Sequence, residues 1–173
     1  LIEQIRQQPL GAIVDSTPAM LDPPSLDPPP DAEYAGFAAA HAERRSLVFV
    51  GANDGMLHAF DARTGIEAWA YVPFNLLPKL KALRQGQAVG SFSFFVDSSP
   101  KVADVKVHGA WRTYLLFGQG PGGTAYQALD VTLTAMVTAL SPAVDDRASL
   151  LAFFSQPDRT SHVWSFPART SFD

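Results

Sequence analysis

Hydrophobic positions along the chain come in short bursts, each stopped by glycine, proline, asparagine or aspartate. Leu47-Val48-Phe49-Val50 is apolar at every position, as a strand covered on both faces should be. Asn53-Asp54-Gly55 supplies residues that tolerate positive φ, so a tight hairpin can reverse the chain into Met56-Leu57-His58-Ala59-Phe60-Asp61. Arg63-Thr64-Gly65 makes the next hairpin, into Ile66 to Val72. Further on, Lys101-Val102-Ala103-Asp104-Val105-Lys106-Val107 alternates like a half-buried strand, and His108-Gly109-Ala110-Trp111 turns it into Arg112 to Phe117. Strands of about five residues joined by hairpins at roughly 8 to 12 residue spacing are the pattern of all-β sandwiches and propellers.

Helical spacing breaks in at two places. Tyr34, Phe37, Ala38 and His41 recur every three or four residues among alanines, so Ala32 to Arg45 predicts a short amphipathic helix packed on a sheet edge or a neighbouring unit. Leu76, Leu77, Leu80 and Leu83, with Lys79, Lys81 and Arg84 between them, predict a second over Phe74 to Arg84. Asp22 to Asp31 carries five prolines in ten positions and reads as an exposed polyproline-rich loop. Ile2 to Gln8 allows a helical turn stopped by Pro9, and Leu10-Gly11-Ala12-Ile13-Val14 leads into the first strand. A Gln/Gly/Ser loop over 85 to 96 leads into Phe94-Phe95-Val96. Leu133 to Leu140 and Pro142 to Ala148 form an insertion ahead of a strand at Leu150 to Phe154.

One unit occurs twice. Asp15-Ser16-Thr17-Pro18, the strand Leu47 to Gly51, the Asn53-Asp54-Gly55 turn and His58 to Gly65 are matched in order. Their counterparts are Asp97-Ser98-Ser99-Pro100, Thr113 to Gly118, the turn Gly120-Pro121-Gly122-Gly123, and Tyr126-Gln127-Ala128-Leu129-Asp130-Val131-Thr132. With a third start at Ser165-Phe166-Pro167, the Ser-x-Pro words lie 82 and 67 residues apart. Such a period signals a repeat architecture. The expected fold is an all-β β-propeller fragment of about two quinoprotein-like blades with short inserted helices. The blades run over 15–73 and 97–155, with an insertion at 74–94 and the start of a next blade at 162–173.

Composition narrows the function. With 47% hydrophobic and 17% charged residues in 173, the chain can bury a core. A net charge of -4 supplies no basic field for nucleic acid or an anionic membrane. The absence of cysteine excludes disulfides and thiol chemistry and leaves the compartment open. No apolar run approaches the ~20 residues that span a bilayer. The chain starts at Leu1 without an initiator Met or signal peptide, which reads as a piece of a longer protein.

The candidate residues are structural ones: Gly51, Asn53, Asp54, Gly55, Asp61, Gly65, Trp69, Asp97, Pro100, Asp104 and Asp130. The glycines and Asn53-Asp54 set hairpins. Asp15, Asp97, Asp104 and Asp130 sit at strand starts or turns where an Asx-type bond to backbone accounts for them. His41, His58, His108 and His162 are scattered and form no metal pair. Neither a Gly-x-Ser-x-Gly elbow nor a Walker loop occurs, and Gly118 to Gly123 joins strand to strand rather than opening a helix.

Phe49 to Asp61, followed by Thr64-Gly65, Glu67 and Trp69, closely resembles a signature stretch of the PilY/PilC family of type IV pilus biogenesis proteins and tip adhesins. Leu76-Leu77-Pro78-Lys79-Leu80, Phe95-Val96-Asp97-x-Ser99-Pro100, Val102-Ala103-Asp104-Val105, Trp111-Arg112-Thr113 and Ala128 to Thr132 follow in the order of that family's C-terminal propeller. The likeness covers residues 10 to 132 well and 150 to 168 weakly. The Gln119–Tyr126 loop departs from it, since the family usually has more glycine and an aromatic there. The resemblance implies a non-enzymatic pilus assembly and tip adhesin module supporting twitching motility. Its partners would be minor pilins and a host or abiotic surface, and its place the periplasm, outer membrane or pilus tip. The family's calcium loop, an Asp-x-Asp-x-Asp run, is absent from these residues, so no cofactor is carried over.

Asp61 to Trp69 also resembles the blade motif of pyrroloquinoline-quinone dehydrogenases, where it sets a hairpin and wedges a tryptophan between blades. A periplasmic quinoprotein dehydrogenase is therefore the alternative. Such an enzyme needs metal-ligating carboxylates and a catalytic aspartate inside a closed ring, which two blades cannot form. A propeller scaffold for outer-membrane protein assembly is a third reading, resting on blade likeness alone. Two blades with open edges would be marginal or aggregation-prone.

Overall fold

The computed structural model, which describes residues 9–79 and 93–133 and the backbone of 162–167, folds the strands into two four-stranded antiparallel sheets. The first takes β1 (Ala19–Leu21), β2 (Leu47–Gly51), β3 (Leu57–Asp61) and β4 (Glu67–Tyr71) in sequence order. The second takes β5 (Lys101–Val107), β6 (Ala110–Gly118), β7 (Ala125–Asp130) and β8 (His162–Pro167), again in order. Pro18 and Pro100 stand just before β1 and β5, the first strand of each sheet, where a missing N–H costs no ladder bond.

The sheets share their irregularities as well as their order. In each, the third strand slips register against the fourth just before its terminal aspartate, between Ala59 and Phe60 and between Ala128 and Leu129. Ala59 faces Trp69 and Ala128 faces Trp164 across these slips. Leu47 pairs with Asp61, and Tyr114 with Asp130.

That register corrects one expectation. The 162–173 stretch was expected to open a further blade, yet its described part, β8, pairs with β7 as the last strand of the second sheet. Trp164 holds the place there that Trp69 holds in β4. The second copy therefore runs on to β8, which starts some thirty residues after Asp130 where β4 starts a few after Asp61. The strand expected at 150–154 and the 134–148 insertion lie outside the described residues, as does the turn expected at 2–8.

The first predicted helix is shorter than its spacing suggested, and the described start of the second is not α-helical. α1 runs over Ala32–Ala40, capped by Asp31, whose carboxylate accepts the Tyr34 N–H at 2.7 Å. Its end frees Arg44 and Arg45 to serve as side chains. At Phe74–Leu76 there is a 3-10 turn, continued as turn to Lys79, in place of an α-helix. Pro78 has no N–H to return to Phe74, which removes the bond an α-helix needs there. The rest of that predicted helix, from residue 80, lies outside the described residues.

One apolar cluster joins the sheets: Leu21, Leu47, Phe49 and Leu57 from the first, Leu115, Phe117 and Leu129 from the second, and Leu76, Phe95 and Val96 from the connection. Tyr71 meets Phe117 edge to face at 5.9 Å, and Trp69 leans on Phe49 at 5.5 Å. α1, inserted between β1 and β2, crosses to the other sheet and rests on β6, with Tyr34 buried against Trp111 at 4.9 Å.

Candidate functional site

The sheets meet at their repeated starts. The Asp15 N–H donates to Asp97 Oδ1 at 3.3 Å, the Ser16 hydroxyl to the Ser98 carbonyl at 3.2 Å, and the Thr17 N–H to Ser99 Oγ at 2.9 Å. Each residue bonds its own counterpart, which happens only where equivalent segments lie side by side. The Asn53 side chain closes the junction. Its Nδ2 donates to Asp97 Oδ1 at 3.0 Å and its Oδ1 accepts the Phe95 N–H at 2.8 Å. Within the first sheet, the Gly51 N–H donates to Ser16 Oγ at 2.9 Å. Gly51 must be glycine, because a Cβ there would lie 2.5 Å from the Val96 carbonyl oxygen.

The Asn53-Asp54-Gly55 hairpin was read as three residues tolerant of positive φ. Among the described residues only Gly55, at φ 94°, uses that freedom here. Asn53 and Asp54 act through their side chains. Asp54 Oδ2 accepts the Gly11 N–H at 2.8 Å and Oδ1 the Met56 N–H at 3.0 Å. His58, buried, stands between Asp54 Oδ2 at 3.0 Å and Glu67 Oε1 at 2.6 Å. Burial pushes the imidazole down, but its hydrogen bonds to Asp54 and then Glu67 outweigh that and carry it up to about 9. With both nitrogens bonded to carboxylates, the ring is a charged strut with no nitrogen left for proton transfer.

Asp61 and Asp130 do the same work in the two sheets. Asp61 Oδ1 accepts from the Arg63 N–H at 3.0 Å, the Thr64 N–H at 2.7 Å and the Thr64 hydroxyl at 2.8 Å. Gly65 then turns the hairpin at φ 70°. Asp130 Oδ1 accepts the Thr132 N–H at 3.0 Å. The other oxygens take arginines: Arg45 at 2.5 Å on Asp61 and Arg112 at 3.0 Å on Asp130. Arg45 and Arg112 each lie two residues before the strand residue paired with their aspartate. The Arg45 hydrogen bond, followed by those from Thr64, holds the Asp61 carboxyl well below the usual carboxylate range.

Asp104 ties the helix to the second sheet, with Oδ1 accepting the Thr113 hydroxyl at 2.6 Å and Oδ2 the Tyr34 hydroxyl at 2.8 Å. Arg44 donates to Thr113 Oγ1 at 2.6 Å. The Trp111 indole N–H reaches Asp31 at 2.9 Å, and Lys106 pairs with Asp31 at 2.9 Å and with Glu33. The Lys106 hydrogen bond brings the Asp31 carboxyl down to about 2. An amide set, which the sequence reading missed, links half-buried Asn75 to buried Gln119 at 2.8 and 3.0 Å and to buried Gln127 at 3.2 Å. Asn75 lies 44 and 52 residues from its partners, and although Gln119 and Gln127 fall in the second repeat nothing in that repeat singles them out.

The site residues thus fall into three places. Gly51, Asn53, Asp54, Gly55 and Asp97 gather at the junction, beside Pro100. Asp61, Gly65 and Trp69 close the far hairpin of the first sheet, with Asp130 as the counterpart in the second. Asp104 lies beneath α1. Among the described residues no group of three or more His, Asp or Glu side chains could hold a metal ion, and no helix is long and apolar enough to cross a membrane. At the junction the side chains of Asn53, Asp54 and Asp97 hold backbone N–H groups of remote segments or each other in place.

A family profile, the PilY1 beta-propeller domain, matches residues 10–147. The chain is 41% identical over 137 residues to the type IV pilus biogenesis factor PilY1 of Pseudomonas aeruginosa strain UCBPP-PA14, covering 73% of this chain and 12% of that protein. It is 40% identical over 136 residues to a type IV pilus biogenesis factor PilY1 homolog of Xylella fastidiosa, covering 75% of this chain and 11% of that one. The crystal structure of the Pseudomonas aeruginosa PilY1 C-terminal domain superposes with a TM-score of 0.55 at 32% identity, over 86% of this chain and 26% of that one. The chain thus spans 11 to 12% of the length of these two curated relatives.

Proposed function

The chain belongs to the PilY1 β-propeller domain family, and from that premise we propose that it is a non-enzymatic module of a type IV pilus biogenesis factor. The observation that carries this reading is about 40% identity to pilus biogenesis factors of two organisms across most of the chain. The two sheets are then consecutive blades, the first from Asp15 to Val72 and the second from Asp97 to Pro167, with the shared starts nearest the ring axis. The repeated geometry supports this: equal strand order, equal register slips and side-by-side starts.

Function follows from rigidity. A blade pair stitched by buried polar bonds and clamped by α1 offers a fixed rim on which partners dock without an ordering cost. The insertions Asp22 to Arg45 and Phe74 to Phe94 are, in this reading, the surfaces for minor pilins at the tip and for a host or abiotic surface. In this reading the module is exported, acts in the periplasm, outer membrane or pilus tip, opposes retraction, and supports adhesion and twitching motility.

Deleting the gene in the source organism tests the reading. Surface pili and the twitching zone should both fall and return with the restored gene. Normal pili and motility in the deletion would overturn the pilus role and turn attention to quinone-dependent dehydrogenase activity.

A further inference from the structure

The loop from Asp22 to Asp31, with five prolines in ten positions, is tied down along its length. At its start the Ser46 hydroxyl donates to Asp22 Oδ1 at 2.5 Å, and Arg44 holds the Asp22 carbonyl. In its middle the Leu26 N–H donates to the Tyr34 hydroxyl at 3.1 Å, and that hydroxyl is itself fixed by donating to Asp104 at 2.8 Å. At its end the Asp31 carboxylate accepts the Tyr34 N–H at 2.7 Å and the Trp111 indole N–H at 2.9 Å, and pairs with Lys106 at 2.9 Å. Both sheets and α1 thus hold the loop in one place.

What those ties hold in place is a tip that faces outward. Ser25 to Pro30 are all exposed, and Leu26 shows 49% of its surface although its backbone is pinned to a buried tyrosine. Proline rings fix φ, so Pro28-Pro29-Pro30 present apolar surface that loses little freedom when it is covered. Charge completes the pattern. Asp22 and Asp31 are bonded as described and Glu33 pairs with Lys106, whereas Asp27, between Leu26 and the prolines, takes no hydrogen bond among the described residues. From this fixed order of leucine, unspent carboxylate and three prolines, we infer that Leu26 to Pro30 is a preformed ligand for a groove on a pilus subunit. That groove is lined by aromatic rings that pack on the prolines, has an apolar pocket for Leu26, and carries a lysine or arginine at its rim opposite Asp27. A flat abiotic surface would gain nothing from the fixed spacing of these groups, which only a shaped partner reads. The inference rests on the pilus reading and narrows it to one loop and one kind of receptor.

Binding of the purified full-length gene product to the purified periplasmic domains of the same organism's major and minor pilins tests it. Leu26→Ser combined with Pro29→Ser should weaken binding to at least one of them by about tenfold or more, with the melting temperature unchanged because both side chains are exposed. Asp27→Lys should weaken it too, and added salt should weaken the parent protein's binding but not that of Asp27→Lys. Tyr34→Phe, which releases the Leu26 N–H and keeps the knob, should fall between parent and double variant, since the partner must then order the loop. Ile66→Ser, at an equally exposed apolar residue on the first sheet's hairpin, is the control and should bind as the parent does. Unchanged binding by the double variant, or an equal loss with Ile66→Ser, would overturn the knob and leave the pilus reading standing. A parent protein that binds none of the pilin domains would also overturn the inference, and the pilus reading falls with it only if the deletion strain keeps its pili.

Discussion

Asn53 and Asp97, 44 residues apart, are joined by a 3.0 Å hydrogen bond buried between the two sheets. The same Asn53 amide accepts the Phe95 N–H, so one side chain satisfies a donor and an acceptor that burial would otherwise leave unpaired. Asn53→Ala should therefore cost about 2 to 3 kcal/mol, more than an exposed amide would. Asp97→Asn, which keeps an acceptor at Oδ1, should cost less. Urea midpoints of the two variants give the order, and equal midpoints would contradict it.

His58 makes stability depend on pH in a stated direction. Its folded value, about 9, lies above the unfolded 6.5, so its contribution is complete below about pH 6.5 and is lost as pH rises through 9. The loss should amount to at most about 3 kcal/mol, reduced by the solvent exposure of Glu67. Thermal melts between pH 6 and 10 should fall across this window for the parent protein and stay flatter for His58→Gln. A parent melt that rises from pH 6.5 to 9 would contradict the strut.

Gly51→Ala places a methyl 2.5 Å from a backbone oxygen, and backbone cannot rotate away as a side-chain tip can. A loss of about 1 to 3 kcal/mol is expected. Gly36, on α1, has open space where its Cβ would be, and Gly36→Ala should be neutral or stabilising through helix propensity. Denaturation midpoints moving in opposite directions would bear out both.

The arginine pairs should rank by burial. Arg45 and Asp61 are more enclosed than Arg112 and Asp130, so Arg45→Ala should lower the midpoint more than Arg112→Ala. In 1 M salt the Arg112 effect should shrink first.

Much of this was legible in the sequence. The hairpins after Leu47–Val50 and Lys101–Val107 were visible because their turns need Gly55 and His108-Gly109, and His108 and Gly109 both have positive φ. The Ser-x-Pro words marked strand starts correctly at Pro18 and Pro100. At Ser165 the same word misled, because it ends β8 instead. The better signal was the tryptophan: Glu67-Ala68-Trp69 and His162-Val163-Trp164 stand at one register, hidden by their unequal distance in sequence from Asp61 and Asp130. The α-helical start expected at Phe74 was overread because leucine spacing is blind to Pro78. The Asn75, Gln119 and Gln127 amide set left no trace, since no local rule relates residues brought together only by tertiary packing.

The most direct measurement of the central claim is the count of surface pili in a strain deleted for the gene and complemented either with the intact gene or with one lacking residues 47–132. The intact gene should restore pili and the shortened one should not. Equal restoration by both would show that pilus assembly does without these two sheets.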